Sequence, residues 1–231
     1  MDISVVIRTL NEAKWLPELL STIQSQNLRT FKCEVVLVDS GSTDDTLEIA
    51  NAFDCKIVTI DKSEFTFGRS LNIGCKAADG RFLVFISGHC VPVGADWLYN
   101  LCKPLDDGVC VYTYGRQIER EGHSKYSEKQ LFLKYFPESS KIPQEDFFCN
   151  NANSALTKAS WERYQFDEEV TGLEDMLLAK QLWQDGEKIG YVADAMVEHI
   201  HEETWRQIKR RYEREAIALQ GILPEVHVNF G

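Results

Sequence analysis

Arg81-Phe82-Leu83-Val84-Phe85-Ile86-Ser87-Gly88-His89-Cys90-Val91-Pro92 is a continuous apolar run that stops in four small or polar residues and a proline. Residues 82–86 are short, β-branched and aromatic, which suits the central strand of a sheet covered on both faces better than a helix. Ser87, Gly88, His89 and Cys90 then fall at the carboxyl end of that strand, where open α/β sheets bind their ligands. The same residues also fit an ordinary turn in which a neighbour satisfies His89, so the rest of the chain must decide.

Working outward, residues 3–7 read as a first strand, with Asn11 as a cap for a helix carrying Leu16, Leu19, Leu20 and Ile23 at helical spacing. Residues 34–38 repeat the pattern, ending at Asp39 before the turn-rich Ser40-Gly41-Ser42-Thr43-Asp44-Asp45 and a second helix. A third strand over 56–60 and a helix opening near Phe65 and ending at Asp79-Gly80 lead back to the opening stretch. Strands alternating with helices through short connections predict an α/β fold with a mainly parallel central sheet and helices on both faces. Beyond Pro92 a helix is expected over 95–105 and a strand over 109–114. A loop or short helix over the site is expected in 119–143, and a polar pocket wall in 150–155. A helix then starts at Gly172-Leu173-Glu174-Asp175. Two short strands, over 189–192 and 196–197, precede an amphipathic helix from about Thr204 to Gln220.

The 231 residues suit one domain. No apolar run approaches the roughly 20 residues of a membrane span. Residues 3–7 are too short and too poorly flanked for a signal peptide, so a cytoplasmic setting is expected, at most at the inner face of a membrane. Seven scattered cysteines, with no Cys-x-x-Cys pair, agree with buried reduced thiols. A net charge of -11 argues against a nucleic-acid partner. Arg206, Lys209, Arg210, Arg211 and Arg214 form a local basic exception, read as a solvated helix face or as a contact for a diphosphate or membrane surface. No Gly-x-Gly-x-x-Gly follows the first strand and there is no Gly-Lys-Ser/Thr loop, which sets aside ordinary dinucleotide and P-loop enzymes.

Four segments together resemble glycosyltransferase family 2, the inverting nucleotide-sugar transferases of the GT-A fold. They are Ser4 onward to Ala13, with Arg8 where a proline is usual; Val36 onward to Thr46; Gly68-Arg69-Ser70-Leu71-Asn72-Ile73-Gly74; and Gly172-Leu173-Glu174-Asp175. The resemblance implies one glycosyltransferase domain over 1–231, with a nucleotide half (1–115) and an acceptor and catalytic half (116–231). It places Thr9, Glu12, Asp39, Arg69 and Asn72 around the nucleoside, and Ser87, Gly88 and His89 beside the diphosphate. Asp175 matches the general base with Glu174 as its neighbour, and Asn151 and Trp161 are expected near the acceptor. A carboxylate of ordinary pKa is already ionised at pH 7, so no special tuning of the base is expected. The implied partners are a nucleotide-sugar donor, UDP- or dTDP-linked, and a saccharide or lipid-linked acceptor in polysaccharide or glycoconjugate biosynthesis.

Members of this family usually carry Asp-x-Asp where Ser87-Gly88-His89 stands. Without those carboxylates the site suits magnesium poorly. His89 with His201 would take Mn2+ or another imidazole-tolerant divalent cation. The alternative is a metal-free site, in which Arg69, the basic cluster, protonated histidine and backbone N–H groups stabilise the leaving diphosphate. Loss of the metal carboxylates also leaves open a degenerate nucleotide-sugar binding module. A nucleotidyltransferase of similar architecture fits less well, because no Gly-rich loop with a lysine follows the first strand.

Overall fold

The computed structural model describes residues 1–123 and 125–224. Its elements run β1 (Ile3–Thr9), α1 (Leu16–Gln24), β2 (Cys33–Asp39), α2 (Thr46–Ala52), β3 (Lys56–Thr59), α3 (Phe67–Ala77), β4 (Phe82–Ser87) and β5 (Cys90–Pro92). They continue α4 (Trp97–Asp106), β6 (Tyr112–Glu119), α5 (Tyr126–Tyr135), β7 (Asn153–Thr157), α6 (Lys158–Tyr164), α7 (Glu174–Gln184), β8 (Ile189–His199) and α8 (Trp205–Ile222).

One eight-stranded sheet takes all the strands in the order β3-β2-β1-β4-β7-β6-β8-β5. The β1–β2, β1–β4, β2–β3 and β6–β8 pairings are parallel and the other three are antiparallel. The two faces are covered as the strand alternation dictates. Ile3, Val5 and Ile7 pack under α1 and α4 with Leu16, Leu20, Trp97 and Leu101. Val6, Val36 and Phe85 face the opposite side, against Leu71, Cys75, Leu178 and Leu182 of α3 and α7. From β1 the chain builds outward to β2 and β3 on one side and to β4 on the other. That reversal opens a crevice at the carboxyl ends of β1 and β4.

The differences from the sequence reading have local causes. Asn11 is no helix cap: it sits in the left-handed region at φ 59° and α1 starts later, at Leu16. The expected pocket wall over 150–155 is partly strand β7. Its polar Asn153 and Ser154 are fully buried but satisfied; Asn153 accepts from the Trp97 indole and donates to two backbone carbonyls. The two expected final strands are one, β8, interrupted by a register shift opposite Gly115 and Gln117. That irregularity breaks the alternation a strand normally shows. The expected division near residue 115 falls inside β6, so both halves share the sheet. All seven cysteines are free, five of them buried. No helix among the described residues is long and apolar enough to cross a membrane.

Candidate active site

Asp39 ends β2 directly opposite Thr9 of β1, and both are buried. The Thr9 hydroxyl donates to Asp39 Oδ1 at 3.1 Å, while Asp39 Oδ2 accepts from the backbone N–H groups of Gly41 and Ser42 at 2.9 Å each. The Ser42 hydroxyl donates to Oδ1 as well. Gly41 takes φ 95°, a conformation open to glycine, and so lets the turn fold back over the carboxylate. Asn11 Oδ1 accepts from Thr43 N at 2.8 Å, tying the loop after β1 to the loop after β2.

The acidic pair enters from α7. Leu173 takes a left-handed conformation (φ 57°) and delivers Glu174 and Asp175, both buried, into the first helical turn. Asp175 Oδ2 accepts from Asn151 N at 2.7 Å and Oδ1 from Met176 N at 2.8 Å. Burial, and then the charge of Glu174, push Asp175 up to about 7, toward neutral pH and away from the ordinary carboxylate value that the sequence reading expected. Arg8 pulls the other way. It stands at the end of β1, donates to Glu174 Oε1 and to Phe67 O at 3.2 Å each, and lies over the Phe67 ring. The residue that departs from the family pattern therefore supplies the cation beside the acidic pair. Its position had flagged it, but its partner is 166 residues away.

Ser87, Gly88 and His89 follow β4. A side chain at Gly88 would lie 2.8 Å from Glu12 Cγ, so glycine admits Glu12, whose Oε1 is 3.0 Å from His89 Nδ1. Since β5 pairs antiparallel with β8, Cys90 sits opposite His199, and His89 comes beside both His199 and His201. One ring nitrogen from each of the three lies within 4.8 Å of the others. His201 Nδ1 is 2.9 Å from Glu128 of α5, and Arg211 donates to the other oxygen of that carboxylate at 2.9 Å. Burial opposes the charge of Glu128, yet His201 and Arg211 hold it down at about 2. His199 is pushed well below the usual histidine range, chiefly by burial. Sequence reasoning named His89 and His201 but not His199, Gln117 or Glu128, which the structure brings beside them. The alternation His199-Ile200-His201 was the available signal, since residues i and i+2 of an extended chain share a side.

Several expected contacts are committed elsewhere. Asn72 uses all its hydrogen-bonding capacity on the chain around residue 166. It donates to Phe166 O and Glu168 Oε1 and accepts from Phe166 N and the Trp161 indole, at 2.9–3.0 Å. Asn72, expected at the nucleoside, and Trp161, expected near the acceptor, are both buried and joined to each other. Arg69 lies beside them, paired with Glu168 at 2.8 Å. Arg211, expected in a free basic cluster, is bound by Glu128 and Glu203. Asn151 stands at Asp175 rather than in an open wall. It is buried and its carboxamide oxygen accepts from Tyr112 and Ser154, while its Nδ2 has no partner among the described residues.

A parallel sheet with its switch point at β1, a carboxylate cradle at the end of β2 and an acidic pair opening α7 define a sugar-nucleotide transferase architecture. The chain belongs to glycosyl transferase family 2, whose model matches residues 4–164. It is 27% identical over 224 residues to the O-antigen chain rhamnosyltransferase RfbN of Salmonella typhimurium, covering 92% of this chain and 70% of that protein. It is 33% identical over 201 residues to the poly(ribitol-phosphate) beta-N-acetylglucosaminyltransferase TarS of Staphylococcus aureus, covering 84% of this chain but only 34% of TarS. The crystal structure of TarS 1-349 in complex with UDP-GlcNAc shares the fold at a TM-score of 0.70, with 18% identity over 96% of this chain and 67% of that one. The mannosyltransferase PcManGT of Pyrobaculum calidifontis, in complex with GDP-Man and Mn2+, does so at 0.74, with 21% identity over 96% of this chain and 63% of that one.

Proposed function

We propose that the chain is a single glycosyltransferase domain, with a nucleotide half over 1–115 and an acceptor and catalytic half over 116–231. It would transfer a hexose or deoxyhexose, with inversion, from a UDP- or dTDP-sugar to a hydroxyl of a saccharide or lipid-linked acceptor. The O-antigen rhamnosyltransferase relative supports a deoxyhexose and a role in surface polysaccharide assembly. The observation that carries the reading is the buried acidic pair at the crevice, with Asp175 pushed up to about 7 and Arg8 bound to Glu174.

In this reading Asp175 accepts the proton of the acceptor hydroxyl as its oxygen attacks the anomeric carbon. The bond from that carbon to the diphosphate oxygen breaks and its electron pair departs with the nucleoside diphosphate. A base whose pKa lies near the working pH combines a usable ionised fraction with proton affinity. Asn151 N–H and the first turn of α7 orient the carboxylate. Asp39 serves the nucleoside by exchanging its Ser42 contact for a ribose hydroxyl or a base N–H, groups of the same donor type.

A donor panel of UDP- and dTDP-sugars, read by released nucleotide and by product anomer, tests the proposal. Transfer by the native chain, reduced about 10²- to 10⁴-fold in Asp175→Asn with donor binding unchanged in calorimetry, is the expected result. Donor binding without turnover on any donor would instead establish the binding module. Loss of donor binding in Asp175→Asn would remove Asp175 from the role of base.

A further inference from the structure

We propose that His89, His199 and His201 form a site for one borderline divalent transition-metal ion, of the zinc and cobalt kind, built from imidazole nitrogens where the family usually has carboxylates.

The orientation of the rings follows from a chain of hydrogen bonds. Ala152 N–H donates to Asn150 Oδ1 at 3.0 Å, which fixes that oxygen and leaves it to accept also from Gln117 Nε2 at 2.9 Å. Gln117 therefore turns its oxygen toward His199, and at 2.7 Å only an Nδ1–H of His199 satisfies it. On His201, Nδ1 faces the Glu128 carboxylate at 2.9 Å and is likewise the donor. Both rings thus hold a proton on Nδ1 and turn their Nε2 atoms on each other, 2.7 Å apart, where a single shared proton joins them in the absence of a metal ion. A divalent ion that takes the place of that proton gains both nitrogens as ligands, with His89 as the third. His89 repeats the arrangement, with Nδ1 on Glu12 Oε1, and its ring is the most open of the three.

A carboxylate or amide oxygen on the far nitrogen of each ligating imidazole is the supporting shell that fixes tautomer and raises basicity in histidine metal sites. Here all three rings have it, through Glu12, Gln117 and Glu128. Three nitrogen donors with a partly open side suit zinc or cobalt with room for further ligands, whereas magnesium demands oxygen. Metal–nitrogen bonds of about 2.1 Å in tetrahedral array place donor atoms about 3.4 Å apart. Loading therefore requires His199 and His201 to part slightly, a side-chain adjustment. When bound, the ion supplies Lewis-acid charge for a diphosphate. That use rests on the transferase reading; the binding does not.

The test uses the whole chain, stripped with chelator and titrated with Co2+, Zn2+, Mn2+ and Mg2+. One equivalent of Co2+ should give visible ligand-field bands that Zn2+ abolishes and millimolar Mg2+ leaves untouched. His89→Ala, at the most exposed ligand, should weaken Co2+ binding more than the about 10- to 100-fold that Glu12→Gln costs through the supporting shell. Circular dichroism on each variant separates unfolding from lost ligation. No Co2+ or Zn2+ bound by calorimetry at millimolar concentration would overturn the proposal, as would binding that both variants retain in full. Because these readouts are spectroscopic, a chain that binds cobalt but transfers no sugar keeps the metal site and removes the transferase. A chain that transfers sugar in excess chelator and takes up no cobalt does the reverse.

Discussion

Asp39 and Glu128 are both buried carboxylates beside the crevice, and they are satisfied by opposite means. Asp39 takes neutral donors, a threonine and a serine hydroxyl and two backbone N–H groups, most of them within three residues of itself. Glu128 is held by Arg211 and His201, from elements distant in sequence; Arg211 lies 83 residues away. Neutral local contacts can be traded for those of a ligand at little cost, because a hydroxyl of a sugar replaces a hydroxyl of serine. A buried carboxylate held by an arginine and a histidine N–H cannot let go, since release leaves unpaired charge in the interior. The Asp39 side is thus suited to exchange ligands, and the Glu128 side to hold histidines still.

The largest expected effect falls on the rigid side. Glu128→Ala strands Arg211 and removes the acceptor from His201, and should destabilise the chain by about 3–5 kcal/mol in urea unfolding. The same pair dictates an acid limb. Glu128 has a folded pKa of about 2, depressed from 4.5, so its stabilisation is complete above pH 4.5 and is lost as pH falls toward 2. Native protein should lose stability across that window, and Glu128→Ala should lose that contribution. A variant as stable as the native chain would put the two carboxylates on the same footing.

A smaller, differently directed effect is expected on the exchangeable side. Asp39→Asn keeps the shape but loses the charge and part of the acceptor capacity. Donor affinity by calorimetry should fall about 10- to 100-fold, equivalent to about 1.5–3 kcal/mol for hydrogen bonds to a charged group. The melting temperature should move less than in Glu128→Ala. The reverse ranking, large instability with unchanged donor affinity, would make Asp39 a scaffold residue.

The same contrast explains what could be read before the fold was known. The Asp39 turn is assembled from Thr9 and the contiguous run 39–46, so its residues appear together in the chain, and the four parallel strands around it show plain apolar runs. The histidine side joins residues 12, 89, 117, 128, 199, 201 and 211 through strand pairings that no local pattern encodes. Its β7 is polar, because Asn153 and Ser154 are satisfied by side-chain and backbone partners within the core. Its β8 hides behind a register shift. Asn72 and Trp161 stood in or near segments that resemble the family, but which way a side chain turns depends on the stretch docked against it. Here that stretch is Phe166 to Glu168, lying so close to α3 that a side chain at Gly68 would meet Asp167 O at 1.9 Å.

Arg8 lies between the two regimes, a cation from the β1 side reaching the acidic pair of α7, and its removal is the mildest of these perturbations. Asp175 sits at about 7 because burial and Glu174 raise it while Arg8 lowers it. In its proposed role as base Asp175 acts ionised, so transfer should rise with pH through about 7 in the native chain. Stability should run the other way. The folded state holds this proton more tightly than the unfolded chain, so the Asp175 contribution to stability declines as pH climbs from about 4 to about 7. Taking away a nearby cation raises the cost of ionising Asp175 further. Arg8→Ala should therefore move the acidic limb of the kcat profile to higher pH, with kcat at saturating alkaline pH changed little. Arg8→Lys, which keeps the charge but not the guanidinium contact with Phe67 O, should return the limb most of the way. A limb that stays in place in Arg8→Ala while kcat falls at every pH would mean that Arg8 positions Glu174 by contact alone, and that its charge does not reach the base.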